Sequence, residues 1–149
     1  MVIRPMEERD IPFVFEIECR IFSKPWSKED FNKSIQDPHN IYLVVEQDSH
    51  IIAYCGLWGV LEEGQINNVA VESSYRNRGI GRKMLQKLIE IGRNQGLTSF
   101  TLEVRVSNQS AITLYHGIGF QDAGIRKNFY EVPTEDALIM WLELQQFPL

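Results

Sequence analysis

The sequence predicts a mixed α/β fold with a largely antiparallel central sheet of about seven strands and four helices. Two observations predict this class. Apolar residues recur at helical spacing in some segments and alternate with polar residues in others. Along the chain these segments run in the order strand, two helices, three strands, helix, strand, helix, two strands. No repeat or linker-like composition interrupts this order, so we expect residues 1–149 to form a single domain.

The first quarter of the chain predicts a short strand and two helices. Residues Val2–Arg4 form the strand, and Asp10 is placed to cap a helix that carries Pro12 in its first turn. Ser27–Asp30 resembles a capping box, which predicts that a second helix begins there. Pro38 ends this second helix because proline cannot continue the helical hydrogen-bond pattern.

Beyond residue 40 the apolar period becomes that of β-strands. Residues 41–46 and 50–60 are rich in β-branched and aromatic side chains, and residues 47–49 form the turn between them. Another strand begins at Gly64. The sequence therefore predicts three consecutive strands in this region.

The third of these strands contains an irregularity. Its apolar positions are Ile66, Val69 and Val71, whereas strict alternation would place them at 66, 68 and 70. One extra residue at Asn67-Asn68 would restore the phase, so the sequence predicts a β-bulge there. A bulge separates neighbouring strands and exposes backbone groups with which an extended, amide-bearing ligand can pair.

The next segment predicts an amphipathic helix followed by a strand. The apolar positions of the helix are Ile80, Met84, Leu85, Leu88 and Ile91. Gly96 is suited to end this helix. Residues 100–106 then alternate between apolar and polar side chains, as expected for a half-buried strand.

The last third of the chain predicts one more helix and two closing strands. Ser107 or Asn108 caps the helix, and Gly119 ends it. Residues 120–130 and 138–144 follow as strands, and the second is apolar on both faces, so it should lie inside the sheet. We expect each helix that crosses between strands to join two parallel strands.

Composition limits the classes of function. The net charge of −5 argues against nucleic acid or an anionic membrane as partner, since both usually require a basic face. Cys19 and Cys55 have no metal-ligand spacing, so we interpret them as reduced, buried thiols of a cytoplasmic protein. The sequence predicts no metal site, no signal peptide and no membrane span. The oligomeric state stays open, and a monomer is compatible with the sequence.

A glycine-containing loop, Arg76–Gly81, lies between a predicted strand and a predicted helix. Glycines let backbone N–H groups approach an anion, and the following helix adds the positive end of its dipole. The predicted diphosphate-binding residues are Arg76, Asn77, Arg78, Gly79, Ile80, Gly81 and Arg82. The loop lacks a P-loop ending, and Met84 stands where a dinucleotide fingerprint needs glycine or alanine. Taken alone, the segment fits an ordinary turn as well as a phosphate site.

Several segments together resemble the GNAT superfamily of N-acetyltransferases, over essentially the whole chain. They are the strand Asn68–Val71, the R-x-x-G-x-G loop and the segment Leu114–Phe120. Further segments are similar to the RimI-like branch, which acetylates the N-terminal alanine of a small-subunit ribosomal protein in bacteria. These are Pro25–Ser27, Leu102–Arg105, Ser107-Asn108, Ala111–Tyr115 and Arg126–Tyr130.

The resemblance implies acetyl-CoA as co-substrate and assigns roles to individual residues. The backbone of Val69, Ala70 and Val71 would pair with the pantetheine and polarise the thioester carbonyl. Glu103 would accept the proton of the amine, directly or through water, and Tyr115 would donate a proton to the departing thiolate. From the residues alone, Glu103 fits a solvated side chain and Tyr115 a core aromatic.

Some positions have two interpretations at this stage. Asn108 resembles a residue that bonds the cofactor arm, and it is equally suited to cap a helix. Arg126–Tyr130 is either a hairpin loop or a wall of a peptide-binding groove. The acidic turns could attract a basic peptide or could simply be solvated; they contain Glu62, Glu63, Glu135 and Asp136.

Three functions are compared. The first is acetylation of a ribosomal-protein N-terminus, with the N-terminal segment of that protein as partner. The second is the same reaction on other protein N-termini or on a small-molecule amine. The third is a non-catalytic CoA-binding sensor domain, which the presence of both Glu103 and Tyr115 disfavours.

Overall fold

The computed structural model describes residues 1–144, so the last five positions of the expected domain, 145–149, lie outside the described residues. The strands are β1 (Val2–Pro5), β2 (Asn40–Gln47), β3 (His50–Val60), β4 (Glu63–Val71), β5 (Ser99–Arg105), β6 (Gln121–Glu131) and β7 (Thr134–Glu143). The α-helices are α1 (Ile11–Ile21), α2 (Lys28–Gln36), α3 (Ile80–Asn94) and α4 (Gln109–Ile118). The predicted fold class and element order are confirmed.

The strands form a seven-stranded sheet in the order β1-β2-β3-β4-β5-β7-β6. All neighbours are antiparallel except β4 and β5, which α3 connects as parallel strands. Strand β7 lies between β5 and β6, which confirms its predicted internal position. The expectation that every connecting helix joins parallel strands is wrong for α1 and α2. These two helices link β1 to its antiparallel neighbour β2, and a pair of helices is long enough to reverse the chain direction.

The sheet separates two hydrophobic clusters. The larger cluster lies on the side of α3 and α4 and includes the fully buried Met84, Leu88 and Phe100. The smaller cluster lies on the side of α1 and α2, around Phe31 and Tyr54. These two faces are called the α3 side and the α1 side below. Burial of several large apolar side chains, each contributing about 1.5–3 kcal/mol, stabilises each helix layer on the sheet.

The two N-terminal helices begin differently from one another. Helix α2 has the predicted capping box, in which the Ser27 side chain accepts from the Asp30 N–H and Asp30 accepts from the Ser27 N–H. Asp10 occupies the predicted N-cap position of α1, but its side chain makes no capping hydrogen bond there. Its carboxylate instead accepts hydrogen bonds from the Arg4 guanidinium of β1 and from the Glu7 N–H. Asp10 therefore fastens the first strand to the start of α1.

Two further expectations are corrected. Arg126–Tyr130 is not a hairpin loop but part of β6, where the pairing with β7 is interrupted between Arg126 and Tyr130. Of the two thiols expected to be buried, Cys55 is buried and Cys19 is exposed, because Cys19 lies on the outer face of α1. None of the helices in residues 1–144 has the length and hydropathy needed to span a bilayer.

Candidate active site

Strands β4 and β5 run side by side only at their beginnings. They pair at three positions, of which the last joins Gln65 to Thr101, and they are not paired beyond it. The gap opens into a cavity of about 640 Å³ lined by residues 66–69 of β4 and 102–105 of β5. Because neighbouring strands normally bond along their length, the gap leaves backbone groups on both facing edges free for a ligand.

The predicted β-bulge borders this gap and is confirmed. The register between β3 and β4 shifts so that Asn67 is the extra residue. Ile66 packs on the α3 side before the bulge, and Val69 and Val71 pack there after it, while Ala70 packs on the α1 side. The predicted cofactor-pairing backbone therefore begins in the cavity lining at Val69 and continues along β4 toward the glycine loop.

The glycine loop has the geometry of an anion site at a helix N-terminus. Asn77 and Gly79 both have left-handed backbone angles, with φ of 63° and 77°. The first hydrogen bond of α3 runs from the Lys83 N–H to the Gly79 carbonyl, so the N–H groups of residues 80–82 have no partner within the helix. A Cβ at Gly81 would lie 3.3 Å from Leu114, so this glycine also permits close packing of α3 against α4.

The three arginines of this region are exposed and have different neighbours. The Arg76 Nε donates to the Val71 carbonyl at 3.0 Å, which closes the end of β4. The Arg78 guanidinium lies 5.4 Å from the ring centre of Tyr75. Arg82 donates to the carbonyl of Gly117 at 3.0 Å and so joins α3 to α4. All three remain at the surface, where their charge raises the local positive potential.

Glu103 and Tyr115 line the same cavity and approach it from different faces of the sheet. Tyr115 belongs to the cluster on the α3 side and is only 7% exposed. Leu102 and Val104 also face that side, so Glu103, between them on β5, points to the α1 side. The structure therefore brings together the two residues predicted to carry proton transfer.

The two side chains have different electrostatic surroundings. The Glu103 carboxylate is 27% exposed and lies 3.4 Å from the Arg126 Nε of β6. Burial, and to a smaller extent the charge of Tyr130, raises the pKa of the Tyr115 hydroxyl. Tyr115 is therefore firmly protonated at neutral pH and is suited to donate rather than accept a proton.

Asn108 has the predicted capping role. Its side-chain oxygen accepts from the Ala111 N–H at 3.2 Å and so begins α4. Asn108 also lines the cavity. Capping is thus confirmed, and the contact with a cofactor arm stays a prediction.

Glu18 is a cavity residue that the sequence did not single out, whereas Tyr130 and Arg105 lie in segments that the resemblance already named. Tyr130 stacks on the Arg105 guanidinium at 4.4 Å, and burial, followed by the nearby charge of Glu103, raises its pKa to about 12. Glu18 is 3% exposed and accepts from the Trp26 N–H and the Tyr54 hydroxyl. Burial raises the pKa of Glu18. The alternation of residues 100–106 predicts that Arg105 shares a strand face with Glu103. No pattern in the sequence predicts the contacts of Glu18 with Trp26 and Tyr54.

Two chain segments meet across the cavity. The Ser23 hydroxyl, in the connection between α1 and α2, donates to the Val132 carbonyl of the β6–β7 turn at 2.5 Å. Beside it, Lys24 forms an ion pair with Glu131. Both segments line the cavity, so a ligand on the α1 side lies between the α1–α2 connection and the β6–β7 hairpin.

A second cavity of about 640 Å³ lies against α1 and the β2–β3 turn, away from these groups. Its charged side chains are largely paired with one another, as in the Arg4–Asp10 and Arg20–Glu72 ion pairs. None of the predicted site residues lines it. Within residues 1–144, no group of three or more His, Cys, Asp or Glu side chains is arranged to hold a metal ion.

Comparison with known proteins identifies the chemistry of the site. A family model described as the acetyltransferase (GNAT) family matches residues 11–120. The chain belongs to this family. Membership makes this chain an N-acetyltransferase with acetyl-CoA as co-substrate, which confirms the predicted superfamily and enzyme class.

Individual relatives of this GNAT enzyme cover almost the whole chain. The Escherichia coli (strain K12) [ribosomal protein bS18]-alanine N-acetyltransferase is 36% identical over 95% of this chain and 97% of its own. A Bacillus subtilis (strain 168) relative, whose name gives the same activity provisionally, is 40% identical over 97% of this chain and 96% of its own. The crystal structure of the Escherichia coli ribosomal-protein-S18-alanine N-acetyltransferase superposes with a TM-score of 0.89 at 34% identity, covering 99% of this chain and 96% of that one.

Proposed function

We propose that this acetyltransferase modifies the N-terminal α-amine of a protein and that its acceptor is the N-terminal alanine of ribosomal protein bS18. The observation that carries the proposal is the gap between β4 and β5, in which Glu103 and Tyr115 line one cavity. The named activity of the Escherichia coli relative, matched over almost the full length of both chains, supports this acceptor. Because ribosomal proteins are made in the cytoplasm, the proposal places the enzyme there.

The residues present fit acetyl-CoA. The unbonded N–H groups at the start of α3 and the arginines around them suit its diphosphate. Strand β4 is not paired with β5 at Val69–Val71, where the Val71 carbonyl accepts from Arg76, so the remaining backbone groups of this edge suit the amides of the pantetheine arm. Asn108, at the start of α4, would donate to the same arm. The thioester would then lie in the gap, between the side chains of Glu103 and Tyr115.

Glu103 is proposed to remove the proton from the acceptor amine. An α-amine has a pKa of about 8, so most of it is protonated near neutral pH and cannot attack a thioester. The Glu103 carboxylate is accessible from the α1 side of the cavity, where the acceptor would enter. The Arg126 Nε, 3.4 Å away, holds this carboxylate at the cavity, where it would accept the proton.

Tyr115 is proposed to donate a proton to the departing thiolate. A thiol has a pKa of about 8.5, so the leaving sulfur is much more basic than a carboxylate and benefits from a proton in the transition state. Tyr115 reaches the cavity from the α3 side, opposite Glu103. The acid and the base can therefore act on opposite ends of the reacting group without exchanging protons with each other.

The acceptor site is proposed to lie on the α1 side, between the α1–α2 connection and the β6–β7 hairpin. The contacts of Ser23 with Val132 and of Lys24 with Glu131 narrow the entrance there. Such an entrance suits a free chain end better than the middle of a folded chain. The Arg126–Tyr130 segment forms part of the wall, since Phe129 and Tyr130 line the cavity.

A direct assay tests the proposed acceptor. The enzyme is incubated with acetyl-CoA and an Ala-started peptide carrying the N-terminal sequence of bS18, and the release of free thiol is measured. The same peptide with an already acetylated N-terminus is the matched control, and peptides with other N-termini and small amines complete the panel. We expect the free Ala-started peptide to be preferred. Preference for a small amine, or acetylation of the blocked control on lysine, would contradict the proposal.

A further inference from the structure

The side chain of Asn68 is buried at the cavity without an assigned role. It follows the extra residue of the β-bulge and is 5% exposed. The bulge turns it to the α1 side, the face toward which Glu103 also points. Asn68 and Glu103 both line the cavity. A buried carboxamide usually has its hydrogen-bonding groups satisfied, so its partners indicate its role.

A hydrogen bond from a distant strand fixes the orientation of this carboxamide. The Tyr42 hydroxyl of β2 donates to the Asn68 Oδ1 at 3.0 Å. Strand β3 lies between β2 and β4, so the Tyr42 ring must cross it to reach Asn68. It crosses at Gly56, which faces both Tyr42 and Asn68 in the sheet register. A Cβ on Gly56 would lie 2.1 Å from a ring carbon of Tyr42, so only glycine leaves room for this crossing.

The fixed orientation leaves the amide nitrogen as a donor. With Oδ1 engaged by Tyr42, the Asn68 Nδ2 points away from that bond. Within residues 1–144, no protein atom accepts a hydrogen bond from Nδ2. Since the fully enclosed polar atoms that lack a partner do not include Nδ2, this nitrogen is not fully enclosed. Since Asn68 lines the cavity, its two N–H groups are available to a ligand there.

We propose that Asn68 binds the carbonyl oxygen of the first peptide bond of the acceptor through Nδ2, with Tyr42 as the positioning residue. The inference rests on the proposed function. The acceptor is favoured over the thioester because Asn68 lies on the α1 side with Glu103, whereas Tyr115 and Val69 belong to the α3 side. The amine nitrogen is two bonds from that carbonyl carbon, so a donor in the same cavity and on the same side of the sheet as Glu103 would direct the amine toward this base.

The test measures KM for an Ala-started acceptor peptide and for acetyl-CoA separately. Asn68→Ala is expected to raise the KM for the peptide by about three- to tenfold, the value of one hydrogen bond, with the KM for acetyl-CoA unchanged. Tyr42→Phe keeps the ring over Gly56 and removes only the hydroxyl, and it should raise the same KM by a smaller factor. Ile35→Val is the matched control, because it trims the same α1-side cluster, does not line the cavity and takes no part in the Tyr42–Asn68 bond.

Two further measurements separate binding from a structural effect. The double variant of Asn68→Ala and Tyr42→Phe should have the same KM as Asn68→Ala, since Tyr42 acts through Asn68. A peptide with a thioamide at its first peptide bond should bind the unaltered enzyme less well, because sulfur is a weaker acceptor, and should show no such loss with Asn68→Ala. An unchanged peptide KM in Asn68→Ala, or a thioamide effect that persists in it, would overturn the inference. Absence of transfer by the unaltered enzyme would overturn the proposed function as well.

Discussion

At the scale of single residues, the site combines two ionisable groups in contrasting surroundings. Tyr115 is buried in the larger cluster, where its ring lies 5.9 Å from that of Phe120. Glu103 is partly exposed and paired with Arg126. Burial keeps the phenol protonated, and the carboxylate is exposed enough to meet an acceptor amine, so the two groups suit the two proton transfers proposed for acetyl transfer.

Replacement of Tyr115 tests the proton donor. Tyr115→Phe is expected to lower kcat by about 10²- to 10⁴-fold, because the ring still packs but no longer carries a proton for the thiolate. CoA binding, measured by calorimetry, should be retained. Tyr130→Phe is the matched control, since this second cavity tyrosine stacks on Arg105 and should cause a smaller loss. The reverse ranking of the two variants would assign proton donation to Tyr130.

Replacement of Glu103 tests the base through its pH dependence. Glu103→Gln is expected to lower kcat/KM by about 10²- to 10⁴-fold. The loss should be greatest at low pH, where the free amine is scarce and removal of its proton limits the rate most strongly. Initial rates between pH 6 and pH 9 with one peptide acceptor measure this trend. A rate that is nearly normal at every pH would remove Glu103 from the role of base.

At the scale of elements, the backbone conformation at the beginning of α3 determines which N–H groups the proposed diphosphate site can use. Gly79 has a φ of 77°, a left-handed angle that costs other residues about 1–2 kcal/mol. This angle turns the chain so that the first N–H groups of α3 face outward from the end of β4. Gly96, just beyond the other end of α3, has a φ of 99°, and a helix C-terminus presents carbonyl groups and not N–H groups.

The two glycines provide a matched pair for the diphosphate site. Gly79→Ala and Gly96→Ala should each destabilise the fold by about 1–2 kcal/mol, because an added Cβ at either position meets no atom within 4 Å and only the backbone angle is strained. Urea unfolding measures this cost. Only Gly79→Ala should also weaken CoA binding, as measured by calorimetry. Equal CoA affinities in the two variants would contradict the proposed position of the diphosphate.

At the scale of the whole molecule, the sheet divides the site between its two faces. Tyr115 and the start of α3 lie on one side, and Glu103, Asn68 and the α1–α2 connection lie on the other. The two substrates would therefore approach from opposite faces and meet in the gap between β4 and β5. The stability of the first strand and of α1 matters to this arrangement because α1 carries one wall of the acceptor site.

The link between β1 and α1 predicts a pH-dependent stability. Burial alone would raise the pKa of Asp10, but hydrogen bonds from Arg4 and from the Glu7 N–H outweigh it and lower the pKa below the ordinary aspartate value. Because the pKa of Asp10 is lower in the folded chain than in the unfolded chain, the ionised carboxylate stabilises the fold above about pH 4. This stabilisation is lost as the pH falls further. Asp10→Asn should therefore lower the free energy of unfolding by about 1.5–3 kcal/mol at pH 7.

The difference between Asp10→Asn and the unaltered chain should shrink at pH 3, where the aspartate itself is largely protonated in the unfolded chain. Urea unfolding at both pH values measures it. Burial of Glu18 also makes stability depend on pH, but it acts equally on both proteins and cancels in the difference. Glu90→Gln, on the exposed face of α3, should change stability little at either pH. A pH-independent effect of Asp10→Asn would contradict the assigned contacts.

Local signals in the sequence were enough to predict most of the elements and part of the site. The apolar phase between Ile66 and Val69 predicted the bulge, and Ser27 and Asn108 predicted two helix caps. Resemblance to known motifs added Glu103 and Tyr115, which the structure places in one cavity. The bulge and the two caps are confirmed because periodicity and capping depend on residues only a few positions apart, whereas the roles of Glu103 and Tyr115 stay predictions.

Tertiary structure alone decided the features that depend on residues far apart in the chain. The Asp10 side chain pairs with Arg4 and makes no capping hydrogen bond, Arg126–Tyr130 continues β6, and Tyr42 reaches Asn68 across Gly56. The reason is physical: the free energy of a buried polar contact depends on which distant groups remove water from it and satisfy its hydrogen bonds. The sequence by itself determined the order of the elements and the bulge, and the packing of the sheet against its helices determined which side of the gap each cavity residue faces.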